Sequence, residues 1–241
     1  MGAGERVAIR AAASSLQTGK PCSRAAFFDL DRTLVPGSSL YPLARELRAA
    51  GLLKWSAVTG LALRQAAFRR RGETEGSVER ARVTALALAR GHEYRGLMAI
   101  VRDVVEQRLL PTVFPSMRDL IRCHQQLGDA TYVVTAAPIE LASLVASHLG
   151  MTGAYGTIAG VGPDGRLTGE LVDEVVRGPM KGEVVRRAAV GRGHNLRFSS
   201  AYGDSIRDLP MLEAVGFPQV VNPDRRLRQV AVDRGWPILH A

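Results

Sequence analysis

A short apolar run that ends in two alternating carboxylates constrains the fold of this chain more than any other stretch. Residues 25–28 are all apolar, and Asp29 and Asp31 follow them one residue apart. A bounded apolar run of this length predicts a buried strand of a parallel sheet. Ligands of open α/β sheets bind at the carboxyl ends of such strands, so both aspartates are expected in a cleft. Alone, the same residues would also suit an Asp-rich turn that caps a helix.

A second polar position follows another strand-like run, and a lysine comes after it in the chain. Residues 131–134 are β-branched and aromatic and end at Thr135, where Ala136 and the next residues suit a turn into a helix. The N-terminus of that helix would favour a phosphoryl oxygen. Lys181 precedes a helical pattern over about 183–190. Taken singly, Thr135 is an ordinary strand end and Lys181 an ordinary solvated charge.

A Gly-Asp sequence follows the next predicted strand. Residues 198–202 have the pattern of a strand, and Gly203, Asp204, Ser205 and Asp208 come soon after it. Carboxylate oxygens are the hard ligands that Mg²⁺ prefers, and one carboxylate from each of two neighbouring strand ends would begin such a site. The alternative is a Gly-Asp turn in which Asp208 caps a helix.

These segments, in this order, resemble the four motifs of the haloacid dehalogenase (HAD) phosphohydrolase superfamily, and the first is similar to subfamily IB, near the phosphoserine phosphatase-like enzymes. The residues that carry the resemblance are Asp29, Asp31, Thr33, Thr135, Lys181, Gly203, Asp204 and Asp208. The resemblance implies that Asp29 attacks phosphorus and becomes an aspartyl phosphate. Asp31 would protonate the leaving oxygen and then activate water. The chemistry agrees, because a carboxylate esterified to phosphate is no longer available as a base.

The resemblance also assigns roles to the remaining candidates. Asp29, Asp204 and the backbone carbonyl of Asp31 would bind Mg²⁺, while Thr135 and Lys181 would hold the phosphoryl group. Arg177 and Arg186 are weaker candidates for the role of Lys181. The candidates for substrate binding are Arg32, Thr33, Ser38 and Ala136. The candidates for support around the metal are Gly203, Ser205 and Asp208.

Length and pattern predict an α/β fold, namely a Rossmann-like doubly wound parallel sheet core (the HAD fold) with an inserted helical cap. The chain has 241 residues, of which 46% are hydrophobic, and this suits one core domain with an insertion. The predicted strands are 25–30, 131–135, 197–202 and 218–221, with a β-hairpin at 155–170. The predicted domains are a flexible N-terminal extension at 1–24, the core at 25–37 and 111–241, and the cap at 38–110.

The residue nine positions after Asp29 bears on the substrate. The resemblance implies a Glu there in phosphoserine phosphatases, where it recognises the ammonium group of the substrate, but this chain has Ser38. A neutral hydroxyl cannot balance an ammonium charge, so phosphoserine is disfavoured. We therefore predict a magnesium-dependent phosphatase for another small-molecule phosphate monoester. A phosphotransferase, in which Asp29 passes its phosphate to an alcohol, is an open alternative.

The charge of the chain is positive and concentrated in the predicted cap. The net charge is +9, and residues 38–110 hold thirteen Lys/Arg against seven Asp/Glu. Such a cap would steer anionic substrates or contact anionic lipid headgroups, although a solvated arginine-rich face is the simpler reading. The alternatives are thus a lipid-phosphate phosphatase and a non-catalytic module that binds membranes or partners. No nucleic acid is expected, because aromatic and basic residues do not interleave as a stacking platform requires.

Nothing near the N-terminus or in the cysteine pattern indicates export. Residues 1–24 have no sustained apolar core and do not resemble a secretory signal. The apolar stretch 52–68 contains two basic residues, so packing within the cap is expected rather than a membrane span. Cys22 and Cys123 supply neither a disulfide framework nor a zinc cluster, and a cytoplasmic location is expected. The sequence indicates no oligomeric state.

Overall fold

The structure is a computed structural model that describes residues 23–52 and 90–241. Nearly all of the predicted N-terminal extension and residues 53–89 of the predicted cap lie outside these ranges. The strands are β1 (Ala25–Phe28), β2 (Ala130–Pro138), β3 (Gly153–Thr157), β4 (Ala159–Val161), β5 (Leu167–Leu171), β6 (Ser200–Gly203), β7 (Phe217–Val221) and β8 (Ile238–Leu239). The α-helices are α1 (Leu40–Ala49), α2 (Tyr94–Val104), α3 (Pro115–Gln126), α4 (Ile139–His148), α5 (Pro179–Arg192), α6 (Leu209–Leu212) and α7 (Arg225–Asp233).

Six strands of the described chain form one parallel sheet in the order β3-β2-β1-β6-β7-β8. The chain leaves β1 toward β2 and β3 on one side, and later returns to β6 and β7 on the other side. Sheets with such a reversal of strand order hold their ligands in the crevice at the carboxyl ends of the strands beside it. The predicted fold class is confirmed, and the reversal brings the ends of β1, β2 and β6 together.

Every residue of β1 is buried, because helices cover both faces of the sheet. Phe28 packs in the core cluster that also contains residues of α2, α3 and α4. Phe27 points to the opposite face, as successive strand residues do, and packs with residues of α5, α6 and α7. Full burial of such a side chain stabilises the fold by roughly 1.5–3 kcal/mol. These two layers hold the end of β1, and therefore Asp29, in place.

The described parts of the predicted cap are helical and pack against the core. Leu43 of α1 and Val101 and Val104 of α2 belong to the same buried cluster as Leu34, which directly follows the first motif. A π-helical turn at Val105–Leu109 and a 3-10 turn at Leu110–Thr112 continue α2 toward α3. The boundaries 38–110 stay a prediction. Within the described ranges, no helix is long and apolar enough to cross a membrane.

The predicted boundaries of the hairpin and of one strand were wrong. The hairpin predicted at 155–170 consists of β4 and β5 alone, while Tyr155 belongs to β3 and pairs with Val134 of β2. The ring of Tyr155 lies 5.6 Å from that of Tyr132, and this contact draws it into the main sheet. The strand expected at 198–202 begins at Ser200, after a 3-10 turn at Leu196–Phe198.

Candidate active site

Three buried carboxylates and one buried ammonium group meet at the carboxyl ends of β1 and β6. Oxygen atoms of Asp29, Asp204 and Asp208 all lie within 4.8 Å of one another. Nζ of Lys181 lies 2.5 Å from Oδ1 of Asp29 and 2.5 Å from Oδ1 of Asp208. All four side chains are less than a tenth exposed. The structure therefore brings together residues that are up to 179 positions apart in the sequence.

Local structure holds each of these acids in its position. Asp29 continues the β1–β6 ladder, because its N–H donates to the carbonyl of Tyr202 at 2.9 Å. Oδ2 of Asp208 accepts hydrogen bonds from the N–H groups of Asp204 and Ser205, both at 3.1 Å, and from the Ser205 hydroxyl at 3.2 Å. Both oxygens of Asp208 are therefore engaged, one by Lys181 and one by the loop that carries Asp204.

Only glycine fits at position 203, because a side chain there would have no space beside Asp208. A Cβ atom at this position would lie 2.5 Å from Cβ of Asp208 and 2.9 Å from its Oδ2. Real Cβ atoms essentially never approach so closely, so any other residue would displace Asp208.

Replacing Gly203 by Ala is expected to lower kcat at least about 10-fold and to destabilise the fold by roughly 1–3 kcal/mol. The displaced Asp208 would release both Lys181 and the Asp204 loop. Steady-state kinetics and urea unfolding measure the two effects. Gly191→Ala in α5 is the matched control, since a Cβ there meets nothing within 4 Å. Wild-type kinetics for Gly203→Ala would contradict the expectation.

Burial and mutual repulsion disfavour the charged forms of the carboxyl groups in this site. Burial raises the pKa of Asp29 to about 7, and the charges of Asp208 and Asp31 add to this, although Lys181 opposes it. Burial likewise raises the pKa of Asp204 well above its usual value, helped by Asp208 and Asp29. Burial would lower the pKa of Lys181, but the carboxylates of Asp208 and Asp29 outweigh it and raise that pKa. The cluster thus sets three carboxyl groups against the ammonium group of Lys181 and, at Asp204, the guanidinium group of Arg32.

The donor set fits a hard divalent cation. Its oxygens come from buried carboxylates that lie within 4.8 Å of one another, and Oδ2 of Asp204 is buried with no hydrogen bond, its partner being the ion-paired Nε of Arg32 at 3.1 Å. Because Asp208 is engaged by Lys181 and the loop, Asp29 and Asp204 are the side chains that would hold the ion. A cation there would relieve the repulsion between the carboxylates.

The loop after β1 places the other candidates of the first motif. Arg32 has φ +66°, a left-handed conformation that costs a non-glycine residue about 1–2 kcal/mol. Its Nε lies 3.1 Å from Oδ2 of Asp204, as an ion pair. The carboxylate of Asp31 accepts the N–H of Ser39 at 2.8 Å, while Thr33 is fully buried. The carboxylate of Asp31 is not a member of the buried acidic cluster.

Thr135 lies on the adjacent strand, which extends through the residues predicted to form a turn into a helix. Strand β2 continues through Ala136 to Pro138, and α4 begins at Ile139. The Thr135 hydroxyl accepts the N–H of Ala137 at 3.1 Å, which shapes a local turn-like bend at the strand end. The carbonyl of Ala136 accepts the hydroxyl of Thr157 at 2.9 Å. The helix N-terminus therefore begins four residues after Thr135.

Lys181 also differs from its predicted setting, since α5 begins at Pro179 and contains it in the first turn. Proline at the first helical position is favoured because its missing N–H has no partner there anyway. Arg186, one weaker candidate for the same role, pairs with Glu183 at the surface, 3.5 Å away.

Ser38 is half-buried and directly precedes Ser39, whose N–H binds Asp31.

Sequence reasoning missed three residues that position the site. Ser39 contacts Asp31 through its backbone, and Gly182 allows the backbone of Pro210 to approach, since a Cβ there would lie 2.6 Å from the Pro210 carbonyl oxygen. Asp224 binds the loop that carries Asp204. Of these three residues, only Asp224 could be recognised from the sequence, because an Asp before a helical pattern is a common N-cap.

Comparison with known proteins identifies the family of the chain. The family model described as haloacid dehalogenase-like hydrolase matches residues 26–213. The chain therefore belongs to the haloacid dehalogenase-like hydrolase family. Together with relatives named as phosphatases, this makes it a hydrolase that acts on phosphate monoesters.

Among its relatives are two proteins of Mycobacterium tuberculosis (strain ATCC 25618 / H37Rv). Phosphoserine phosphatase SerB1 is 38% identical over 231 residues, which cover 95% of this chain and 75% of the relative. Probable phosphatase Rv3661 is 39% identical over 215 residues, which cover 89% and 74%. A solved protein of unknown function from Bordetella pertussis Tohama I is similar with a TM-score of 0.76 and 29% identity, over 90% of this chain and 98% of that one. A phosphoserine phosphatase structure with 20% identity, a TM-score of 0.64 and coverage of 91% and 93% shows the shared fold.

Proposed function

We propose that this chain is a magnesium-dependent phosphatase that hydrolyses a small-molecule phosphate monoester through an aspartyl phosphate on Asp29. The observation that carries the proposal is the contact of Asp29 with Lys181 inside a buried cluster of three carboxylates. The proposed nucleophile, a fixed positive charge and the proposed ligands for a divalent cation thus share one buried cluster. Asp29 and Asp204 would hold Mg²⁺, which would neutralise charge on the phosphoryl group.

In the first half of the reaction, a carboxylate oxygen of Asp29 attacks phosphorus, and the bond from phosphorus to the leaving oxygen breaks. Asp31 donates its proton to that oxygen, so the product leaves as a neutral alcohol. In the second half, Asp31 takes a proton from water, which attacks the phosphorus of the aspartyl phosphate. The phosphorus–Asp29 bond breaks, and inorganic phosphate and free Asp29 result.

Residues around Asp29 would stabilise the charge that develops on the phosphoryl oxygens. Lys181 is held at 2.5 Å from the nucleophile by its second partner Asp208, so its charge is already oriented before substrate arrives. Thr33, Thr135 and Ala136, from the loop after β1 and the end of β2, are the proposed neighbours of the phosphoryl group. Arg32 lies at the edge of the site, where it would reach a phosphoryl oxygen or the leaving group.

We propose that the leaving group carries no ammonium group for the protein to recognise, because position 38 holds a neutral serine. The relative named phosphoserine phosphatase supports the opposite choice, in which phosphoserine binds through other residues. Glu140 in the first turn of α4 is the specific residue that this choice would use. It is half-buried and accepts the hydroxyl of Tyr94, at the start of α2, at 3.2 Å.

Phosphate release from a panel of esters tests the proposal. The panel contains phosphoserine and sugar, nucleotide, cyclitol and lipid phosphates, each assayed with Mg²⁺ and with EDTA. We expect magnesium-dependent release that prefers an ester without an ammonium group. Preference for phosphoserine that Glu140→Gln abolishes would support the second candidate instead.

The same assay distinguishes the remaining alternatives. Added alcohols that accept phosphate faster than water would identify a phosphotransferase. Turnover restricted to lipid phosphates in vesicles would identify a lipid-phosphate phosphatase. Vesicle binding that persists without any release, in the wild type and in Asp29→Asn alike, would favour a non-catalytic role and contradict the proposal.

A further inference from the structure

A second acid, outside the four motifs, holds the loop that carries Asp204. Oδ2 of Asp224 accepts the N–H of Ile206 at 3.0 Å, and the Asp224 N–H donates to the carbonyl of Asp204 itself at 2.7 Å. Oδ1 of Asp224 accepts the N–H of Leu227 at 2.8 Å and so caps helix α7. One side chain therefore joins the N-terminus of a helix to the proposed metal loop.

The chain reaches this position through a tight reversal after β7. Asn222 has φ +42°, in the left-handed region that Asn tolerates better than most residues, and its N–H donates to Leu239 of β8 at 3.0 Å. Pro223 follows and is buried. The reversal lets α7 start after only three intervening residues beyond the end of β7, which brings Asp224 beside Asp204.

The loop is thus held from two sides by carboxylates. Asp208 binds the N–H groups of Asp204 and Ser205 from within the motif, and Asp224 binds the Asp204 carbonyl and the Ile206 N–H from α7. Together they fix the backbone on both sides of the Asp204 side chain. Groups that orient a metal ligand commonly change metal affinity 10–100-fold when they are removed.

We propose that Asp224 is a positioning residue for the metal site, which sets Mg²⁺ affinity by holding the loop around Asp204. The inference rests on the proposed magnesium site. If Asp224 only capped α7, its removal would not change the affinity for the ion.

Two substitutions separate the loop contact from the helix cap. Asp224→Asn leaves one acceptor oxygen for two N–H groups, so the Ile206 and Leu227 contacts can no longer both form. Ile206→Pro removes only the donor in the loop. Proline is tolerated there, because position 206 opens a 3-10 turn and Ser205 before it is extended, with φ −130° and ψ 159°. Ile206→Ala, which keeps the N–H, and Asp233→Asn, which removes a charge at the far end of α7, are the matched controls.

Calorimetric Mg²⁺ titration of each purified full-length variant, with its thermal midpoint in EDTA, is the test. We expect the Kd for Mg²⁺ to rise about 10-fold or more in Asp224→Asn and in Ile206→Pro. The double variant should bind little more weakly than either one, because both remove the same contact. Both controls should keep the wild-type Kd.

The outcomes distinguish this inference from the proposed function. If the wild type binds Mg²⁺ and both variants bind it equally well, Asp224 only caps α7 and the inference is wrong, while the proposed function stands. If the wild type itself binds no Mg²⁺, the metal site and the inference fail together. If Asp224→Asn does not fold, the Kd of Ile206→Pro relative to Ile206→Ala decides.

Discussion

Replacing Asp29 by Asn is expected to lower kcat by about 10⁴-fold or more, because the amide cannot form the aspartyl phosphate. Phosphate release from the best ester of the panel measures the loss. Asp103→Asn, at an exposed position of α2, is the matched control and should retain wild-type turnover. Turnover by Asp29→Asn within 10-fold of the wild type would exclude Asp29 as the nucleophile.

Although it is expected to abolish turnover, Asp29→Asn should stabilise the metal-free protein at pH 8. The pKa of Asp29 is raised from its usual 3.8 to about 7, first by burial. A carboxyl group whose pKa is raised on folding stabilises the protein at pH values below its unfolded-state pKa. This stabilisation is lost as the pH rises from there through about 7, the pKa in the folded state. Asn does not ionise. In EDTA, Asp29→Asn should therefore unfold at higher urea concentration than the wild type at pH 8, and this advantage should vanish toward pH 4.

Removing the charge of Lys181 is expected to be the most destabilising single change in the site. Lys181→Ala would leave Asp29 and Asp208 buried without their shared cation, which typically costs 3–5 kcal/mol when one partner of a buried pair is lost. Loss of the preoriented charge should also lower kcat by about 10²–10³-fold. Urea unfolding in EDTA measures the first effect, and steady-state kinetics the second.

Two further variants show whether charge alone accounts for the effect of Lys181. Lys181→Arg keeps the charge, but its planar fork differs in shape from the compact ammonium that contacts two carboxylates at 2.5 Å, so we expect little recovery of activity. Arg187→Ala removes an exposed cation from the same helix and should change stability by less than about 1 kcal/mol. Wild-type stability of Lys181→Ala would contradict the expected role of the pair.

Much of the core fold was predictable because its signals are local. The apolar run before Asp29, the β-branched run before Thr135 and the Gly-Asp at the end of β6 each mark the end of a strand within a few residues. The predicted hairpin boundary failed for a long-range reason. Tyr155 joined the main sheet because it contacts Tyr132, 23 positions earlier, and no local pattern records that contact.

The sequence by itself determined the class of fold, the family and the types of chemical group at the strand ends. These follow from residue types and their order, which are properties of short segments. Only the tertiary structure decided that Lys181 lies between Asp29 and Asp208, that Gly182 lets Pro210 approach, and that Asp224 holds the Asp204 loop. Such contacts join segments far apart in the chain, and whether they form depends on packing, space and charge, which the linear sequence does not display.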